Sequence, residues 1–552
     1  MRDSLFDVLG AGDEFGGRRH DIATARRLSV VWPAIRRSAP VTLGISAAAL
    51  YFMLFLTTSW RVGDEGSIVY GAQRVAEGEV PYRDFFEVMG PGSFYWLALW
   101  FKVLGISWIT SRLAVLATAL ASACAIYYMA ARHCNSKFAL FPAALYSVVT
   151  IPLWPAANHH FDSNLWALLA IATFVGDSQP SSRRAAMAGL FAGVSSTIMP
   201  HKGAVVLAAL MFSAVIQIEE PRNWRRALPR LAWMVAAFAA LGVAVLVCFW
   251  AQGALDDLLY ANVVWPATQY HSVNVVPYAH GLIELFLPGW SVVIRAVLPW
   301  TLAGVAIAAA LTPFAFIASL PVIALLLSVF RMFTPKHTLW RDLPWTYAFA
   351  GFALFASECH RRDMMHLIYG SPVLALLVSL MLGKMQSQPI LIARRALVGC
   401  LAVVAAVLAL IATGSRTTVE TRRGVVHMFG RDEALNFLQA HVAADENVFV
   451  YPYYPMYYFL ANLRNPTRYS ILMYHINTGE QFNEVIDALQ RERVRFVLWD
   501  TFVAGENLTR WFPGYQHPPA DQQLLERYLT EHYRVIGIKN GFQILERLES
   551  SP

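Results

Sequence analysis

Charge is what this 552-residue sequence has least of: Asp, Glu, Lys and Arg make up 15% of it, against 57% hydrophobic residues. Soluble domains carry about 25% charged residues. With a mean hydropathy of +0.44, the composition therefore excludes an ordinary water-soluble globule. Cysteine is also scarce. Cys124, Cys134, Cys248, Cys359 and Cys400 have neither paired nor metal-type spacing, which excludes a disulfide scaffold and a cysteine metal site. Most lie in or beside apolar runs, where a thiol is a small hydrophobe. No nucleotide-phosphate Gly loop is found, which disfavours a nucleotide-sugar donor. Internal repeats and low-complexity tracts are missing too. No short basic region leads to a cleavage site, so the run Thr42 to Trp60 is expected as a retained first span.

The charge that is present gathers in the first forty residues, in short loops and after about residue 414. The net charge of +7 suggests nucleic acid only until its placement is noticed. Lys and Arg flank apolar runs, which is a membrane-topology signature, and no nucleic-acid partner is expected.

A membrane crossing takes about 20 mostly apolar residues, fewer if kinked. Candidates are 41–60, 110–131, 138–153, 163–177, 185–198, 203–218, 231–250, 300–330, 343–357, 366–382 and 396–413. The fold class expected is mainly α, a polytopic transmembrane helix bundle of about eleven spans with an extracytoplasmic C-terminal α/β domain. The count becomes twelve or thirteen if Pro91–Gly105 is a crossing or 283–330 is divided at its prolines. With Arg18, Arg19, Arg26, Arg27, Arg36 and Arg37 in the cytoplasm, the basic loops at 132–137, 177–184, 219–230, 331–341 and 383–395 all fall on that side. Counting Pro91–Gly105 as a span would turn three of them outward, so it is expected as an interfacial helix. Three domains result: a basic cytoplasmic segment 1–40, a transmembrane domain 41–413 with long outer loops 61–109 and 251–299, and a soluble domain 414–552. The protein is expected in the cell (inner) membrane of its host.

Long ordered loops tend to carry function. The segment 251–289 is rich in aromatics, Pro and His, which suits either a cover over a bound lipid or sugar, or an aromatic interfacial belt. After residue 414 the pattern predicts helices at 432–442, 480–490 and 522–532, strands at 447–451 and 494–499, and a hairpin at 533–545 turning at Asn540-Gly541. No catalytic motif is found there.

The strongest chemical signal is Gly63-Asp64-Glu65-Gly66, directly after the first span. Carboxylates beside a membrane helix are costly unless solvated or used. The same loop continues through Pro81-Tyr82-Arg83-Asp84-Phe85-Phe86. A later outer loop reads Trp154-Pro155-Ala156-Ala157-Asn158-His159-His160-Phe161-Asp162-Ser163-Asn164. In layout over 41–413, and in the Asp-Glu after span one, the sequence resembles the GT-C superfamily of membrane glycosyltransferases. The likeness is to bacterial relatives of protein O-mannosyltransferases and of lipid A aminoarabinose transferases. In the oligosaccharyltransferase branch the second outer loop carries an acidic motif. Asp162 matches it, but Ser163-Asn164 replaces a second carboxylate and weakens the case for a metal.

The resemblance implies a polyprenyl-phosphate sugar as donor, membrane lipids around it, and a glycan, lipid or protein as acceptor. It implies Asp64 as catalytic base, with Glu65 orienting or supplementing it. A hydroxyl acceptor must lose a proton as it attacks, which a rim carboxylate suits. The departing phosphate must have its charge held, which suits the outer cations Lys202, Arg361, Arg362 and His366. Asp162, His160 and Asp84 are candidates for metal or acceptor contact, a divalent Mg or Mn being the cofactor considered. Asp162 equally suits a helix cap. One displacement inverts the sugar carbon. Rival readings are a flippase, a ligase or polymerase of lipid-linked glycans, and a non-catalytic assembly protein. A flippase needs charges or broken helices at mid-membrane, and the spans here are nearly free of charge.

Overall fold

The computed structural model describes residues 42–59, 63–176, 181–216, 224–270, 273–278, 280–281, 301–333, 345–385, 387–414, 416–504 and 508–548. The basic segment 1–40, all of 283–299, and parts of the loops at 177–184, 219–230 and 331–341 lie outside them.

Each apolar run expected as a span falls on a helix. In chain order these are α1 (Thr42–Met53), α4 (Trp108–Ala131), α5 (Ser136–Val149), α6 (His159–Phe174), α7 (Ser182–Ile198), α8 (Pro200–Ile216), α9 (Trp224–Ala251), α10 (Leu302–Phe333), α11 (Thr346–Ser357), the pair α12 (Met364–Gly370) and α13 (Pro372–Gly383), and α14 (Gln388–Gly414). Between α1 and α4 come α2 (Gly63–Glu77) and α3 (Pro91–Leu104). Among the described residues four helices are long and apolar enough to cross a membrane: α4, Ala227–Ala251 within α9, α10 and α14. The α12–α13 pair, bent by 66°, makes a fifth. Its break falls at Pro372, which has no N–H to continue the helix before it. The described part of 283–330 is one helix, α10, with Pro313 and Pro321 inside it. At 32 residues it is about 48 Å long, more than the roughly 30 Å of a hydrocarbon core.

The helix starts are chemically marked. Ser107, Asn135, Asn158 and Asp363 each accept a backbone N–H from the first turn of α4, α5, α6 and α12. These bonds satisfy donors that a helix start leaves open. On α9 the large side chains of Trp233, Val243, Val247 and Trp250 are exposed. An apolar face of this kind has no aqueous explanation and suits lipid. α3 likewise buries Phe94, Leu97 and Phe101 and exposes Leu99, Val103 and Leu104.

The C-terminal part follows the expected order. After an unforeseen hairpin, β1 (Thr417–Thr421) with β2 (Gly424–Met428), come α15 (Glu433–His441), β3 (Val448–Tyr451), α16 (Met456–Leu460), α17 (Gly479–Arg491), β4 (Phe496–Asp500), α18 (Leu524–His532), β5 (Tyr533–Lys539) and β6 (Phe542–Arg547). The four-stranded sheet has the order β3-β4-β6-β5, with β3 and β4 parallel and the other pairs antiparallel. The β5–β6 turn has positive φ at Asn540 (49°) and Gly541 (85°), the backbone that makes Asn-Gly a hairpin signal.

This domain is joined to the helices by shared cores. One contains Ile68, Phe94 and Phe101 from α2 and α3 together with Tyr458, Phe459 and Leu460 from α16. Another contains Tyr82, Phe86 and Trp265 together with Phe449, Tyr469 and Phe482. Trp265, in the aromatic loop, is therefore core, and its indole N–H donates to the Ile476 carbonyl at 3.0 Å.

Candidate active site

The two carboxylates at the start of α2 have opposite fates. Both suit a helix N-terminus, where the backbone dipole favours negative charge. Adjacent helical residues, however, point about 100° apart. Glu65 turns inward and is buried. Its Oε1 lies 2.5 Å from Arg112 Nη1, its Oε2 accepts from Arg112 Nη2 at 2.9 Å, and Oε1 also accepts the Ala157 backbone N–H at 2.9 Å. The guanidinium in turn lies 3.8 Å from the centre of the Trp108 ring. Glu65 thus ties α2 to α4 and to the loop before α6. Asp64 turns outward and is exposed. Its Oδ1 accepts a hydrogen bond from the Tyr453 hydroxyl.

A second cluster is built on Glu358, just past the end of α11. Lys202 Nζ is 2.5 Å from Glu358 Oε1 and donates to Asn164 Oδ1 at 3.0 Å; His160 Nδ1 stands 3.0 Å from the carboxylate. All three side chains are buried, Lys202 completely. Burial pushes the Glu358 carboxyl upward, but His160 and Lys202 outweigh it and hold the group well below the usual range. The His160 ring stacks on Tyr369 with centroids 4.4 Å apart, and His366 is 4.9 Å away. Asp363 pairs with His366 Nδ1 at 2.8 Å and Arg361 Nε at 2.9 Å. Burial raises its carboxyl, and its contacts with His366 and Arg361 pull it below its ordinary value. Arg361 also donates to Asn274 Oδ1 (2.9 Å) and to the Trp511 carbonyl (3.0 Å), so it links the loops at 358–363 and 273–278 to the C-terminal part.

The two groups of residues face each other electrically. Tyr270 is pushed up to about 12 by burial, with Arg361 opposing and Asp64 adding to the shift. Tyr369 feels the charges of both Asp64 and Glu358.

The structure thus brings Lys202, His160, His366 and Arg361 together around Glu358 and Asp363. It does not bring in the others. Arg362 is exposed and donates to the Cys359 carbonyl at 2.8 Å. Asp84 is held by its neighbour Arg83 at 2.8 Å and by the Val80 N–H at 2.7 Å. Asp162 accepts from Thr118 at 3.0 Å, and Asn158 is the residue that caps α6. Glu358, Asn164, Tyr369 and Tyr453 were not singled out from sequence as site residues. For Glu358 a signal existed, a carboxylate at the end of an apolar run; for Tyr453 none did.

His160, Glu358 and His366 offer ligand atoms within 4.8 Å of one another. Two imidazoles and one carboxylate suit zinc better than Mg or Mn, which prefer oxygen. The set does not fit a resident ion as it is folded, because the Lys202 ammonium already stands on the one anionic ligand.

Glu87, in the loop after α2, is 1% exposed and has no hydrogen-bond partner by geometry, although Ser67 and Ser470 lie alongside. Burial pushes its carboxyl up to about 8, with the Asp64 charge adding to the shift. A raised carboxyl favours the fold while protonated, and that stability is lost as pH rises from the unfolded value through 8. Relative to wild type, Glu87→Gln is therefore expected to gain thermal stability as pH rises from 4.5 to 8. Melting in detergent across that window checks it; parallel curves would refute the assignment.

The long apolar helices, the broken helix pair and the small C-terminal sheet make up a fold that is shared with solved structures. The chain is a multi-pass membrane protein. Among solved structures it is similar to ArnT from Cupriavidus metallidurans in the apo state, with TM-score 0.52 and 13% identity over 93% of this chain and 99% of that one. The same protein bound to undecaprenyl phosphate gives TM-score 0.50, 13% identity and the same coverage. AglB from Archaeoglobus fulgidus, an archaeal oligosaccharyltransferase in complex with an inhibitory peptide and a dolichol-phosphate, covers 94% of this chain and 75% of its own at TM-score 0.48 and 10% identity, too weak to carry an argument. At such identities the likeness is one of fold. No protein-family model and no curated protein matches the sequence.

Proposed function

We propose that this protein is an inverting glycosyltransferase that moves a hexosyl or pentosyl group from a polyprenyl-phosphate donor to an envelope acceptor. The transfer takes place at the outer face of the inner membrane, with the N-terminus cytoplasmic and the C-terminal domain outside. The observation that carries this reading is the division of labour in the Asp-Glu pair: Glu65 is consumed by Arg112, while Asp64 is exposed and engages Tyr453 through Oδ1 alone among the described residues. The fold shared with a protein that binds undecaprenyl phosphate supports the donor class.

In this mechanism Asp64 accepts the acceptor hydroxyl's proton as oxygen attacks the anomeric carbon, and the C–O bond to phosphate breaks on the opposite face. His366 and Arg361 face the departing phosphate, with Arg362 at the rim. Lys202 stands behind them in contact with Glu358, which opposes the lowering of the ammonium by burial. No step is routed through a metal. Chelator treatment is expected to leave transfer unchanged, whereas Lys202→Met, which strips the ammonium from Glu358, is expected to create zinc affinity measurable by calorimetry. Loss of wild-type transfer on chelation, restored by zinc, would assign the cluster to a metal instead.

The reading as a whole is tested in the host. Deletion should cause one lipid-linked sugar to accumulate while one envelope glycan loses a residue. A glycan defect with an unchanged lipid-linked pool would favour transport or scaffolding.

A further inference from the structure

The C-terminal domain reaches Asp64 through one segment, Tyr453–Met456, between β3 and α16. Three independent features bring it there. The Tyr453 hydroxyl donates to Asp64 Oδ1 across 389 positions of sequence. A Cβ placed on Gly63 would lie 2.4 Å from Cε1 of the Tyr453 ring, so the ring occupies the space a side chain would need. A Cβ placed on Gly66 would lie 2.4 Å from the Met456 backbone nitrogen, which cannot yield as a flexible side chain can. The two glycines that bracket the carboxylate pair are thus the seat of this segment. The seat is secured on its flanks. Tyr70 of α2 stacks on Tyr458 of α16 with centroids 5.0 Å apart, and its hydroxyl accepts the Asn465 N–H at 3.0 Å. The Tyr458 hydroxyl accepts the Val450 N–H at 2.8 Å.

We propose that Tyr453 is the positioning residue of the reaction: it fixes the Asp64 carboxylate by one oxygen and leaves the other aimed at the acceptor, so that the C-terminal domain completes the active site. An exposed carboxylate on a first helical turn otherwise samples several rotamers, and catalysis depends on holding the base in one geometry. The sequence Gly-Asp-Glu-Gly thereby acquires a complete account: one carboxylate for chemistry, one for the Arg112 anchor, and two absent side chains for the docking segment. The proposal rests on the assignment of Asp64 as the base.

The test compares Tyr453→Phe, Gly63→Ala and the double variant, as purified full-length proteins in detergent, with Asp64→Asn beside them. The substrate is a polyprenyl-phosphate sugar of the kind that accumulates on deletion. Tyr453→Phe should lower kcat about tenfold with the donor KM within about twofold. Gly63→Ala should produce the same loss by displacing the ring while keeping its hydroxyl, and the double variant should be no worse than either single one. Should Tyr453→Phe fail to fold, Gly63→Ala alone carries the kcat and KM readouts. Unchanged kcat in Tyr453→Phe, or additive losses, would overturn the positioning role while an inactive Asp64→Asn kept the base assignment. An active Asp64→Asn would instead overturn the base assignment itself.

Discussion

Asp64→Asn should lower the transfer rate by about 10²–10⁴-fold, the range associated with loss of a general base, and leave the fold intact. Asn keeps the shape of the side chain and an oxygen that can accept from Tyr453, so the contact to the C-terminal domain survives. Only the capacity to take a proton at neutral pH is removed. Donor binding should be little changed, because the groups proposed to face the phosphate belong to the Glu358 cluster. In cells the variant should reproduce the accumulation of lipid-linked sugar expected on deletion, at matched protein level. If transfer persists at wild-type rate, the base lies elsewhere. Glu65 would be a poor substitute, since both its oxygens are engaged and it is buried.

The second large effect is one of stability. Arg112→Ala should destabilise the protein by about 3–5 kcal/mol, the usual cost of stranding one member of a buried ion pair. Arg112 and Glu65 side chains are each 1% exposed, so water cannot replace the lost partner. The variant also leaves Trp108 without the guanidinium stacked on it. Replacing both members, as Glu65→Met with Arg112→Met, should recover much of the loss, because the desolvation cost disappears together with the attraction. Thermal melting in detergent measures both, and residual transfer in the double variant is the informative companion. If Glu65 only anchors α2, activity should return along with stability. A stable but inactive double variant would give Glu65 a direct part in the chemistry, against the division drawn between it and Asp64.

The positions of most elements were legible because their signals are local. An apolar run marks a helix wherever it occurs, and Asn540-Gly541 marks a hairpin by its own backbone preference. The hairpin Thr417–Met428 escaped notice, because its alternation is short and its hydrophobic face is completed only by packing against the start of α4. The aromatic loop misled for a related reason. Trp265 and Tyr270 carry the composition of a membrane belt, but a neighbouring domain claims Trp265 for a core.

By itself the sequence determined that the chain belongs in a bilayer, where its helices lie, and which loop carries the Asp-Glu pair. Composition and spacing decide those matters, and both can be read within a window of about twenty residues. Tertiary structure alone decided that Glu65 is an anchor and Asp64 is not. It also decided that Glu358 gathers Lys202, His160 and His366, and that a tyrosine from the C-terminal domain holds Asp64. A buried charge must find a partner wherever one is available. Here the partners of Glu65 and Glu358 stand 47 and 198 positions away, and Tyr453 stands 389 from the exposed Asp64, separations that no local pattern encodes.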